Sequence, residues 1–209
     1  MALLGREETG VIAEDEAALL RLLQPIAKLT TARQAVAGAS ETLEAFGGAG
    51  YVEDTGLPEL LRDAQVLSIW EGTTNVLALD ALGVLDAEEA QAAVAGEIRR
   101  CTASLRDPAL RALGEEAHAA LEGALAWCAA EHHDGSVHEA GARRLGLTLG
   151  RTLELSLLAA HAQWCLDAGR PPRAADAARL LARLGPDLVV DDAGVEEEAA
   201  RLLATPPRP

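Results

Sequence analysis

Apolar residues return at every third or fourth position over most of this chain, the spacing that lays one greasy stripe along a helix. Leu22, Leu29, Val36 and Leu43 stand seven apart, with Ile26 and Phe46 in the same stripe, which predicts one amphipathic helix over 14–46. Pro25 falls inside it and removes a backbone donor, so a kink or a fresh start is expected there. The stripe stops at "FGGAGY", and "VEDTGLP" leads through Pro58 into a helix over 58–67. "IWEGTTN" interrupts, and the pattern resumes over 75–82. Beyond Asp86 the spacing predicts helices over 87–104, 108–132, 138–168, 172–184 and 194–204, broken by "RDP", "HHDGS", "GRPP" and "GPD". One stretch, "LGLTLGRTLELSLL", alternates every second residue as a strand would; its length and alanine-rich flanks make it helix. Alanine and leucine dominate while Val, Ile, Tyr and Phe are scarce. The expectation is an all-α protein, a helical bundle with one domain over 1–85, a helical extension over 86–204 and a disordered "TPPRP" tail at 205–209.

Composition narrows the function. With 49% hydrophobic residues, 209 residues can bury a core. The net charge of −15 argues against general affinity for nucleic acid or anionic membrane. Residues 141–185 depart from it, with seven arginines (Arg143, Arg144, Arg151, Arg170, Arg173, Arg179 and Arg183) against three acids. No apolar run approaches the roughly 18 residues of a membrane span, and the start lacks a secretory pattern, so a cytoplasmic protein is expected. Cys101, Cys128 and Cys165 sit singly inside helical patterns and read as small core residues.

Chemistry concentrates in "IWEGTTN". A carboxylate at Glu71, flanked by Ile69 and Trp70, is expected to be partly desolvated and so tuned toward a general base. Gly72 removes bulk where a substrate could approach. Thr73, Thr74 and Asn75 add polar groups at a helix start that also presents unpaired backbone donors. A blander reading fits the same residues, with Asn75 or a threonine capping a helix and Glu71 a solvated neighbour. "FGGAGY" is likewise open between a helix-terminating turn and a close approach of backbone to ligand. "HHDGSVHE" offers His132, His133, Asp134, His138 and Glu139, but adjacent histidines on a helix point apart and Asp-Gly signals a turn, so no metal is assigned.

Taken in order, a helix ending in a double glycine, then "LLRDAQ", then "IWEGTTN" resembles the end of the acyl-CoA dehydrogenase C-terminal helical domain. The resemblance runs from Leu19 to Leu85, 67 residues. The tryptophan before the glutamate and the long helical extension are similar to the AidB-like branch. The resemblance implies that Glu71 takes the α-proton of an acyl-CoA thioester while FAD takes the β-hydride, giving a trans-2-enoyl product. It implies further that Gly72 and Trp70 contact substrate, and that Thr73, Thr74 and Asn75 lie along FAD. Gly47 and Gly48 would then approach the FAD of a neighbouring subunit, in a homo-oligomer.

Glu44 stands where many relatives carry a flavin-binding glutamine, and is left outside the site. Arg62 and Asp63 are expected to form a structural ion pair or cap. The resemblance also implies an N-terminal helical domain and a central β-domain as partners, so this chain corresponds to the C-terminal third of such an enzyme and is expected to be inactive alone. A non-catalytic assembly or nucleic-acid-associated module is the alternative; the interleaved acids and the scarcity of aromatics speak against nucleic acid.

Overall fold

Long α-helices dictated by the three-and-four spacing make up the structure. The computed structural model describes residues 2–130 and 135–189. Among these there is no strand, as the all-α expectation requires. The helices are α1 (Ala2–Glu8), α2 (Glu14–Ala45), α3 (Leu57–Leu67), α4 (Thr74–Leu85), α5 (Glu88–Thr102), α6 (Pro108–Cys128), α7 (Gly135–Asp167) and α8 (Arg173–Arg183). Sequence spacing missed only α1, which is too short to display a period. The helix expected over 194–204, the tail, and His132, His133 and Asp134 lie outside the described residues. No described helix is long and apolar enough to cross a membrane.

The chain divides into two compact units, one ending at Ala93 and the other starting at Val94. In the first, α2 packs against both α3 and α4. Its start is fixed by Glu16, whose carboxylate accepts the Ala13 N–H at 3.2 Å, and by an ion pair from Arg6 to Glu16. The helix passes Pro25 without a fresh start. Pro25 is buried on the face that carries Leu22, Ile26 and Leu29, so packing of the ring offsets the lost hydrogen bond. Burial on α2 ends at Ala32; Val36 and Leu43 are only half-buried and Phe46 is exposed. Arg62 of α3 donates two N–H bonds to Glu53, at 2.9 and 3.0 Å. The structural ion pair expected of Arg62 therefore runs to Glu53 rather than Asp63, tying the 53–55 turn to α3. These bonds hold the Glu53 carboxyl below its usual range.

The second unit is built on α6, α7 and α8, with Leu105, Leu110, Leu113, Leu155 and Ala159 among its core residues. Asp107 caps α6, its carboxylate accepting the Ala109 and Leu110 N–H groups at 2.9 and 3.1 Å, with Pro108 at the first helical position. Gln163 of α7 accepts the N–H groups of Arg106 and Asp107 and donates to Asp167, which also pairs with Arg106. The stretch that alternates in sequence is helical because its polar members satisfy themselves. Thr152 donates to the Thr148 carbonyl at 2.7 Å and Ser156 to the Thr152 carbonyl at 2.9 Å, all three residues being fully buried. Cys101 and Cys165 are buried, and the three cysteines form no disulfide with one another. Burial, then the nearby Glu97, pushes the Cys101 thiol up to about 11.

The α6–α7 contact depends on a missing side chain. Trp127 of α6 lies so close to Gly141 of α7 that an added Cβ would come within 2.3 Å of its ring. Overpacking costs about 1–3 kcal/mol and alanine regains about 1 kcal/mol of helix propensity. Gly141→Ala should therefore lower stability by about 1 kcal/mol in denaturant melts; a rise would mean that the Trp127 ring moves freely.

Candidate active site

The polypeptide between α3 and α4 is held in a conformation that its sequence does not favour. At the end of α3 the Ser68, Ile69 and Trp70 N–H groups still donate back to Gln65 and Val66 carbonyls at 2.9–3.1 Å. The chain then reverses at Glu71, with φ +53°, and Gly72, with φ +110°. Among the described residues Glu71 is the only non-glycine in the left-handed region. A glutamate there costs roughly 1–2 kcal/mol, the kind of strain that collects at functional sites. Gly72 cannot be replaced cheaply, because its φ excludes side chains and a Cβ would sit 2.9 Å from the Leu77 side chain. The glycine serves the turn and its packing on Leu77.

What holds the reversal is a residue from α2. The Lys28 ammonium donates to the carbonyl of Trp70 and, at 3.0 Å, to that of Gly72, the residues on either side of Glu71. Sequence reasoning missed Lys28. A signal was present, since it is the only lysine in the chain, all 17 other basic residues being arginine.

Beside this turn lies an open cleft of about 420 Å³. Arg21, Gln24, Pro25 and Lys28 of α2 form one wall; Leu77, Asp80 and Val84 of α4 form another, with Glu71 at the rim. The cleft thus joins two carboxylates, Glu71 and Asp80, two cations, Arg21 and Lys28, and the apolar Pro25, Leu77 and Val84. Glu71 is exposed, and Trp70 is 53% and Ile69 63% exposed, so within this chain the desolvation expected of Glu71 is not supplied.

The polar run after Gly72 opens α4. Thr73 occupies the cap position with an extended backbone, yet no side chain caps the helix. Thr73 and Asn75 are exposed, whereas Thr74 is buried. The double glycine lies elsewhere. Gly47 takes a left-handed φ of +56° just past the end of α2, as a terminating turn requires, while Gly48 faces open space without that conformational demand. Lys28 touches the Glu71 turn, and 17 residues of continuous helix separate it from Ala45, about 25 Å at 1.5 Å per residue. One copy of the chain brings Glu71, Gly72 and Trp70 together and does not bring Gly47 or Gly48 to them.

At least three of the seven arginines in the arginine-rich stretch are engaged within the chain. Arg151 donates to the Gly185 carbonyl, Arg170 lies 4.8 Å over the Trp164 ring, and Arg179 pairs with Asp176.

Comparison with known proteins gives a consistent result. The family described as acyl-CoA dehydrogenase, C-terminal domain, matches residues 9–82. Acyl-CoA dehydrogenase family member 11 of Caenorhabditis elegans is 59% identical over 87 residues, 42% of this chain and 14% of that protein. The putative acyl-CoA dehydrogenase AidB of Escherichia coli is 37% identical over 109 residues, 45% of this chain and 20% of that protein. The crystal structure of Caenorhabditis elegans ACDH-11 in complex with C11-CoA superposes with a TM-score of 0.86 at 32% identity, covering 99% of this chain and 36% of that one. This chain therefore spans about a third or less of the length of these relatives.

The strain at Glu71 is measurable. Glu71→Gly removes the left-handed penalty of about 1–2 kcal/mol and adds about 0.5–1 kcal/mol of backbone entropy cost. Urea unfolding should show a gain of up to about 1.5 kcal/mol; a loss would mean that the Glu71 side chain stabilises the fold.

Proposed function

We infer, from the acyl-CoA dehydrogenase C-terminal domain at residues 9–82, that this chain is the C-terminal part of a flavoprotein that dehydrogenates acyl-CoA thioesters to trans-2-enoyl-CoA. The observation that carries this reading is the glutamate held in a left-handed backbone at the rim of a cleft. Such an arrangement is costly unless the direction of the carboxylate matters. A base must sit over one face of the reacting carbons and stay there, since proton transfer requires hydrogen-bond reach. Glu71 takes the α-proton; Gly72 and Trp70 border the acyl group.

The residues fit FAD in part. Uncapped N–H groups at the start of α4, with exposed Thr73 and Asn75 beside them, suit an acceptor-rich ligand, and buried Thr74 offers only its backbone. Gly48, which faces open space without being required by the turn, suits close backbone approach. When bound, FAD accepts the β-hydride. The distance of about 25 Å along α2 supports assigning Gly47 and Gly48 to the site of another copy, hence a homo-oligomer.

Cover for Glu71 comes, in this reading, from the N-terminal and central domains of the same enzyme. The partly covered end of α2 and the exposed Phe46, Tyr51, Leu60, Val66, Ile69 and Trp70 support that partner. This chain alone then lacks activity, and visible spectra after mixing with FAD and desalting should show no retained flavin. A persistent flavin band would instead mean that copies of this chain build the site unaided.

In the complete enzyme Glu71→Gln should lower acyl-CoA dehydrogenation by at least about 10²-fold, with the oligomer unchanged in sedimentation. Activity that survives the change removes Glu71 from the reaction.

A further inference from the structure

We propose that Lys28 is the positioning residue of this site, an ammonium on α2 that fixes the backbone on both sides of Glu71 and so aims its carboxylate into the cleft. The inference rests on Glu71 being the base. Its own ground is geometric. Lys28 Nζ donates to the carbonyls of Trp70 and Gly72, residues 42 and 44 positions away, and the peptide between those carbonyls carries the strained Glu71. Turning two carbonyls two residues apart toward a single point sets their partial negative charges against each other. A cation at that point reverses the sign of the interaction and makes the reversal the favoured arrangement.

Lysine suits this place where arginine does not. An ammonium is compact and directs three N–H donors tetrahedrally, so two can reach carbonyls from one atom; the planar guanidinium spreads its donors over a rigid fork. A chain with 17 arginines keeps its one lysine here. The carrier is also rigid. Lys28 projects from the stretch of α2 whose neighbours Ile26 and Leu29 are fully buried, so the ammonium is referenced to the core rather than to a loop. Other charged groups lining the cleft are Arg21, Asp80 and Glu71 itself. In this arrangement the lysine acts on the main chain of the turn, and Glu71 keeps its carboxylate free for substrate.

Lys28→Met separates this role from general stability. In the 209-residue chain, 13Cα and 13Cβ secondary shifts of Glu71 should leave the left-handed range while those of α2 and α4 stay helical. In the complete enzyme, kcat should fall about tenfold or more with KM for acyl-CoA changed less than about twofold, because a misdirected base slows chemistry without weakening binding. Should Lys28→Met fail to fold, Lys28→Gln, which keeps one N–H donor, gives the same two readouts at intermediate size. Unchanged Glu71 shifts, or a rise in KM with kcat preserved, overturn the proposal. Glu71→Gln run in parallel distinguishes the two failures. If it abolishes turnover while Lys28→Met does not, the positioning role falls and the base assignment stands; if it leaves turnover intact, the base assignment falls and the proposal falls with it.

Discussion

A helix of 32 residues is about 48 Å long, and the helices available to cover it, α3 and α4, have 11 and 12 residues. This mismatch governs the first unit. The two short helices can bury only part of α2, and they take the part that carries Leu22, Ile26 and Leu29. What remains, from Ala32 to the double glycine, has the same apolar stripe but is covered only in part, Val36 and Leu43 staying half-buried and Phe46 exposed. Most of the notable features follow from which part is covered.

At the covered part, burial makes α2 a fixed reference. Pro25 persists inside the helix because its ring is packed, and Lys28 is carried at a defined height above the core. The turn between α3 and α4 meets that lysine and folds around it. Two carbonyls of the turn, those of Trp70 and Gly72, converge on one ammonium, and Glu71 is left in a left-handed conformation that disfavours a side chain. Strain at the site and order in the core are thus two ends of one mechanical connection, from Leu22, Ile26 and Leu29 through Lys28 to the Trp70 and Gly72 carbonyls.

The second unit solves a different problem, that of burying polar groups inside a long helix. Thr148, Thr152 and Ser156 form a column on α7, each bonding one turn back or holding the chain beyond α8, where the Leu188 N–H donates to Thr148. Gln163 closes the α5–α6 turn onto the same helix. Apolar area sets the packing of α6, α7 and α8, and these few side chains fix where the connecting segments lie on α7.

Periodicity by itself determined the described helices other than α1, because a stripe every three or four residues has one stable solution, and their ends could be read to within a few residues from Gly, Pro and Asp-Pro signals. "IWEGTTN" and the double glycine were legible as special because their residue types fit no helix interior. Tertiary structure alone decided three matters. It assigned Arg62 to Glu53, a choice between two nearby acids that only the path of the 53–55 turn can make. It left Glu71 and Trp70 open, since burial depends on what packs over them and an apolar neighbour in sequence is no guarantee of cover. And it brought Lys28 to residues 42 and 44 positions further along, a contact set by the packing of α4 on α2, for which local sequence carries no signal beyond the oddity of a single lysine.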